Sequence, residues 1–148
     1  MNNNPMLKPQ IARQGFAVMP TAATPEFSAT MYTVGLTAKG WPEIIVTGNL
    51  PELVKANMIM GLVHIWREQG AAMVMTWENF ITSTEASAKV ERVSAYAGGE
   101  CRVPLVATMY EHYSLVQIIW PAPEVWVLPT HKSYPHDKFR QDVLPLLD

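Results

Sequence analysis

Residues Pro51 to Gln69 constrain this chain more than any other stretch. They read as one long helix whose apolar residues cover most of its circumference. Pro51 suits a first helical turn, Glu52 complements the positive dipole end, Asn49 or Leu50 stands in the capping position, and Gly70 lies just past the end. Val54, Met58, Ile59, Leu62, Ile65 and Trp66 form one broad face, and Leu53, Met60 and Val63 lie on another side. A helix apolar nearly all round must be covered on several sides, by a sheet and by another element or chain. Only one narrow polar stripe remains, made of Asn57, Gly61, His64 and Glu68.

The segments around this helix read mainly as strands. Glu43-Ile44-Ile45-Val46-Thr47 is a continuous run between Pro42 and Gly48-Asn49, the pattern of a strand buried on both faces. Gly15 to Met19, Phe27 to Val34, Ala72 to Trp77, Val90 to Tyr96, Leu115 to Trp120 and Val125 to Leu128 are further extended candidates. Asn79 to Ser87 reads as loop, Pro104 to Tyr113 as a short helix, and Pro135 to Leu144 as a terminal helix stopped by Pro145. Residues 1–12 lack any period and read as a flexible N-terminal arm. The expectation is a single α+β domain over residues 13–148: a mainly antiparallel sheet, one long helix packed on it and a short C-terminal helix.

Composition narrows the function classes. The chain has 148 residues, 49% hydrophobic but only 16% charged, against about 25% charged in an ordinary soluble domain. Its net charge is −2 and it has no basic run, which disfavours nucleic acid as a partner. Cys101 is the single cysteine, so a disulfide framework is excluded. No apolar stretch approaches the ~20 residues of a membrane span, and no signal-peptide pattern opens the chain. A cytoplasmic protein with a reduced thiol is expected.

Tyr32-Thr33-Val34-Gly35-Leu36, followed by Gly40-Trp41-Pro42-Glu43-Ile44-Ile45-Val46 and Gly48, carries a resemblance. With Gln117-Ile118-Ile119-Trp120-Pro121 near the C-terminus, it resembles the signature of the bacterial domain-of-unknown-function family DUF4262. The resemblance implies a shared fold and no assigned activity. Two positions depart from the pattern: Trp41 stands where the family often has His, and Ala122 where it has Asp after the Trp-Pro pair. Any family function resting on that Asp is therefore altered here.

Candidate chemistry is sparse. His64 and Glu68, at i and i+4 with Asn57 two turns earlier, suit a base or a ligand, but no third partner is fixed by spacing; a solvated edge is the simpler reading. His131, His136-Asp137 and Glu111-His112 read as surface residues, and no metal or cofactor is expected. Cys101 beside Arg102 lacks a positioned base. Tyr32, Thr33, Glu43, Gln117 and Trp120 are different, being polar groups on apolar strands. They fit an internal polar network that fixes register or, alternatively, the floor of a ligand pocket.

The apolar surplus points to a partner. Met58, Trp66, Met73, Met75, Trp77 and Trp126 are candidates for an interface patch. The preferred expectation is a small binding or interaction module without catalytic chemistry, self-associating or bound to another protein. A defence-related inhibitor or mobile-element protein fits that class. The alternative is a small-molecule-binding domain or enzyme with its site near Tyr32, Glu43, Gln117 and Trp120.

Overall fold

Strand β3 (Glu43–Thr47) is the pivot of the architecture, with every one of its residues buried. A computed structural model describes residues 7–70, 80–81, 87–122 and 128–147. In it β3 is flanked by β2 (Thr30–Val34) on one side, antiparallel, and by β8 (Leu115–Ile119) on the other, parallel. β1 (Ala17–Thr21) extends the sheet beyond β2, and β5 (Ser87–Arg92) and β4 (Phe80–Ile81) extend it beyond β8. The sheet thus runs β1-β2-β3-β8-β5-β4, with β3–β8 the one parallel pairing among the described residues. The α+β class and the mainly antiparallel sheet hold.

The long helix α2 (Glu52–Gln69) starts from Pro51 as its cap and ends where the Gly70 N–H returns to the Trp66 carbonyl at 2.8 Å. Lys55, Ile59, Leu62, Val63 and Trp66 are its buried residues, the i, i+4, i+7, i+8, i+11 row that puts one stripe on a sheet. The four apolar ones join Met31, Ile44, Val46, Val116 and Ile118 in a single core. The opposite sheet face carries a second core, where Tyr32, Val34, Ile45 and Leu115 meet Val106 from α3 (Pro104–Met109), Val103 just before it, and Leu144 from the C-terminal segment. A two-stranded hairpin, β6 (Tyr96–Ala97) with β7 (Glu100–Cys101), turns at Gly98-Gly99 and leads into α3.

Two segments near the termini carry structure that the sequence pattern does not show. Leu7–Gln14 forms helix α1; Pro9 falls in its first turn, where a missing N–H costs little. Its end is tied down by the Gln14 amide donating to the Phe16 carbonyl at 2.9 Å and Arg67 donating to the Gln14 carbonyl at 3.1 Å. The expected C-terminal helix over Pro135 to Leu144 is instead a set of turns followed by extended chain. The reason is competition: Gln141, Asp142 and Leu144 give their hydrogen-bonding groups to the sheet rather than to a helix. The strand candidate at Ala72 to Trp77 and most of the one at Val125 to Leu128 lie outside the described residues.

Candidate functional site

The polar residues attached to apolar strands sort into two clusters at opposite ends of β3. At its start, the buried Glu43 carboxylate accepts from the Thr33 hydroxyl at 2.7 Å and from the backbone N–H groups of Gly35, Leu36 and Thr37 at 3.2, 3.2 and 2.9 Å, as well as from the Thr37 hydroxyl. Those amides open a 3-10 turn, Leu36–Lys39, whose first N–H groups have no partner within the turn. The carboxylate therefore acts as a cap supplied from a neighbouring strand. Thr33 also accepts from the Ile44 N–H at 2.9 Å, so its hydroxyl joins β2 to β3 just where their ladder ends. Gly35 has φ of +124°, and a Cβ there would stand 2.9 Å from the Phe16 Cα. The Tyr-Thr-Val-Gly-Leu and Pro-Glu elements are thus two halves of one structural joint.

At the other end of β3 sits Thr47. Its carbonyl accepts from the Trp120 indole at 2.8 Å, and its hydroxyl donates to the Asp142 carbonyl at 2.6 Å. The Gln117 amide donates to the Thr47 hydroxyl and the Asp142 carbonyl, at 3.2 and 2.9 Å, while its oxygen accepts from the Leu144 N–H at 2.9 Å. Gln141 brackets Trp120, accepting from its N–H and donating to its carbonyl, and donates also to the Tyr134 hydroxyl. Burial pushes that phenol up to about 12, with the Gln141 hydrogen bond pulling the other way. These bonds strap residues 140–147 onto the sheet, completed by Ser94 N–H to the Pro145 carbonyl and Leu147 N–H to the Arg92 carbonyl. Gly48 lets the Trp120 ring in, since a Cβ there would lie 2.4 Å from it.

The candidates Thr33 and Glu43 are brought together, as are Gln117 and Trp120, but the two pairs are not joined. Tyr32 stands apart, on the face opposite α2, where its hydroxyl accepts from the Leu105 N–H at 3.4 Å and burial raises its pKa. All five have their polar groups engaged within the chain. Ala122 is fully buried in the core beneath α2. Trp41 packs edge-on against Trp66 with ring centroids 6.1 Å apart.

The stripe residues Asn57, His64 and Glu68 are exposed, with His64 Nε2 3.8 Å from Glu68 Oε1. Such an exposed pair contributes little. Among the described residues, no group of three or more His, Cys, Asp or Glu is placed to hold a metal ion. Of the interface candidates, Trp66 is core and Met58 is half-buried against it, which takes Trp66 out of any partner-facing patch. The indole ring is too large to leave out of the α2–sheet contact, and its row on the helix faces inward. Met73, Met75, Trp77 and Trp126 lie outside the described residues. What α2 does leave outside is Leu53, Val54 and Met60, which are 71%, 38% and 38% exposed.

Lys55 is a buried cation that the sequence does not single out. Only 2% exposed, it donates to the Gly48 carbonyl at 3.0 Å, and burial lowers its pKa. Its one signal was its place in the buried row with Ile59, Leu62 and Trp66.

A family model described as a domain of unknown function, DUF4262, matches residues 10–135. No curated protein and no solved structure matches the chain. Among the described residues no helix is long and apolar enough to cross a membrane.

Proposed function

The chain belongs to the DUF4262 family, a domain of unknown function, so its role has to be read from its own surface: we propose that it is a small interaction module that pairs with a second copy of itself through the outer face of α2. The observation that carries this reading is the apolar set Leu53, Val54 and Met60 left exposed on a helix whose other side is already buried. Fully burying an exposed apolar side chain is worth about 1.5–3 kcal/mol, most of which Leu53 still has to gain and a smaller part Val54 and Met60, and a two-fold contact uses each residue twice. A net charge of −2 puts little repulsion between copies. The internal engagement of Glu43, Gln117 and Trp120 further supports a structural role for the polar strand residues over a catalytic one. The same reading places the module in the bacterial cytoplasm, where Cys101 stays a thiol.

Sedimentation at tens of micromolar tests it. The wild-type chain should sediment as a dimer, and Leu53→Glu/Met60→Glu should sediment as a folded monomer. A wild-type monomer at high micromolar concentration overturns the reading.

A further inference from the structure

The outer face of α2 carries more than its three apolar side chains. At about 100° per residue, Leu53 and Met60 fall on one side of Asn57 and Val54 on the other, each within roughly 60° of it. His64, two turns after Asn57, falls beside it in the same gap. The buried row of Lys55, Ile59, Leu62, Val63 and Trp66 points the opposite way. A contact that covers Leu53, Met60 and Val54 together therefore also covers Asn57 and His64. Both are exposed in the single copy, His64 over 74% of its side chain.

We propose that the pairing of α2 with a second copy is switched by the charge on His64: the copies associate while its ring is neutral and separate when it is protonated. This inference rests on the α2 pairing proposed above. With the helices antiparallel and the two-fold axis between Met60 and Gly61, Asn57 lies opposite the partner's His64. In the same register Arg67 meets the partner's Val54, and Glu68 meets the partner's Leu53. A neutral imidazole has one donor and one acceptor, and the Asn57 amide offers both, so the pair satisfies itself on burial. A protonated ring has no acceptor and brings a charge that meets no carboxylate across the contact.

Few groups could hold the proton on a covered ring. Glu68 Oε1 is 3.8 Å from His64 Nε2, but that carboxylate is mostly exposed and stands in the last turn, at the rim of the contact. An exposed pair of this kind contributes little, whereas burial weighs far more heavily against a charged ring. Arg67, three residues on, adds positive charge and already donates to the Gln14 carbonyl. The two His64 rings stand roughly 10 Å apart along the helix axis, so their mutual repulsion is largely screened at ordinary ionic strength. Desolvation decides the sign, and acid favours the separate copies. Overall charge does not decide it, since charging all four histidines reverses the net charge of −2 without enlarging it.

Sedimentation of the full chain at about pH 7.5 and about pH 5.5, either side of the range in which histidines ordinarily titrate, reads the switch at constant ionic strength. Near-UV circular dichroism at each pH should be unchanged, showing that the chain stays folded. The dimer Kd should rise at least tenfold at the lower pH; two imidazoles per dimer set a ceiling of about a hundredfold per pH unit. His64→Gln keeps a donor and an acceptor but never charges, so its Kd should agree within about twofold at the two pH values. His64→Lys, charged at both, should associate at least tenfold more weakly than the wild type at pH 7.5. A wild-type Kd that ignores pH, an equal pH response in His64→Gln, loss of pairing in His64→Gln at pH 7.5, or dissociation that comes only with loss of the near-UV signal overturns the switch and leaves the α2 pairing standing. A wild-type monomer at both pH values overturns the pairing and the switch with it.

Discussion

Glu43→Gln isolates the joint between β2, β3 and the 3-10 turn. In the native chain Oε1 accepts from Thr33 and Leu36, and Oε2 from Gly35 and from both donors of Thr37. An amide keeps one acceptor oxygen and turns the other into a donor. Its better orientation leaves oxygen facing Gly35 and Thr37 and sets NH2 against the Leu36 N–H. The Thr33 hydroxyl can rotate; the Leu36 amide cannot. One buried N–H is then orphaned, and the remaining bonds lose their charge assistance. The expected cost is about 2–4 kcal/mol, a large part of the roughly 5–15 kcal/mol that holds a domain of this kind folded. With a urea slope near 2 kcal/mol/M, a loss of about 3 kcal/mol moves the midpoint down by about 1.5 M. Thr37→Val removes only the hydroxyl contact and should cost about 1 kcal/mol. Because both changes act on the same carboxylate oxygen, the double variant should depart from additivity by at least about 0.5 kcal/mol. A Glu43→Gln midpoint within about 0.3 M of wild type, or strict additivity with Thr37→Val, would refute the cap.

Lys55→Met tests the buried amine. Its folded pKa lies below the ordinary 10.5, so the native state releases this proton before the unfolded state does, and this group makes stability rise with pH between the folded value and 10.5. That rise should vanish in Lys55→Met, as read by Tm across the alkaline range; an unchanged slope counts against the burial. Gly48→Ala should lower the Tm by well over 10 °C or prevent folding, since φ of +119° and a contact 2.4 Å from the Trp120 ring both oppose a Cβ. A stable Gly48→Ala variant would mean that the ring is free to move. Gln117→Leu orphans the Leu144 N–H; it should cost about 1–3 kcal/mol and speed amide exchange at Leu144 ahead of the central strands. Exchange rising equally along the chain would contradict a local strap.

Legibility followed sequence distance. Glu43–Thr47 was readable as a fully buried strand, because a continuous apolar run between Pro and Gly leaves few alternatives. Glu43 was readable as a backbone acceptor because the donors of the 3-10 turn lie within ten residues of it. The burial of Trp66 is not legible for a related reason. A helix apolar on several sides does not say which side meets the sheet, and only the packing chose the row of Lys55, Ile59, Leu62, Val63 and Trp66. That choice also put a lysine inside and left Leu53 outside, against the bare hydropathy order. The Pro135 to Leu144 segment had helical signals at both ends, yet its backbone groups found better partners in Gln117 and Thr47.

By itself the sequence determined local decisions: where the central strands and the long helix run, where glycine and proline interrupt them, and that Glu43 and Gln117 had to find internal partners. These follow from backbone geometry and solvation within a few residues, so they survive without knowledge of the fold. The tertiary structure decided what long-range closure alone can decide. It brought Thr47 to Gln117 and Trp120 across 70 and 73 residues, and it tied the Ser28 N–H to Asp142 across 114. A side chain's partner across the sheet depends on strand order and register, and those are properties of the packed whole.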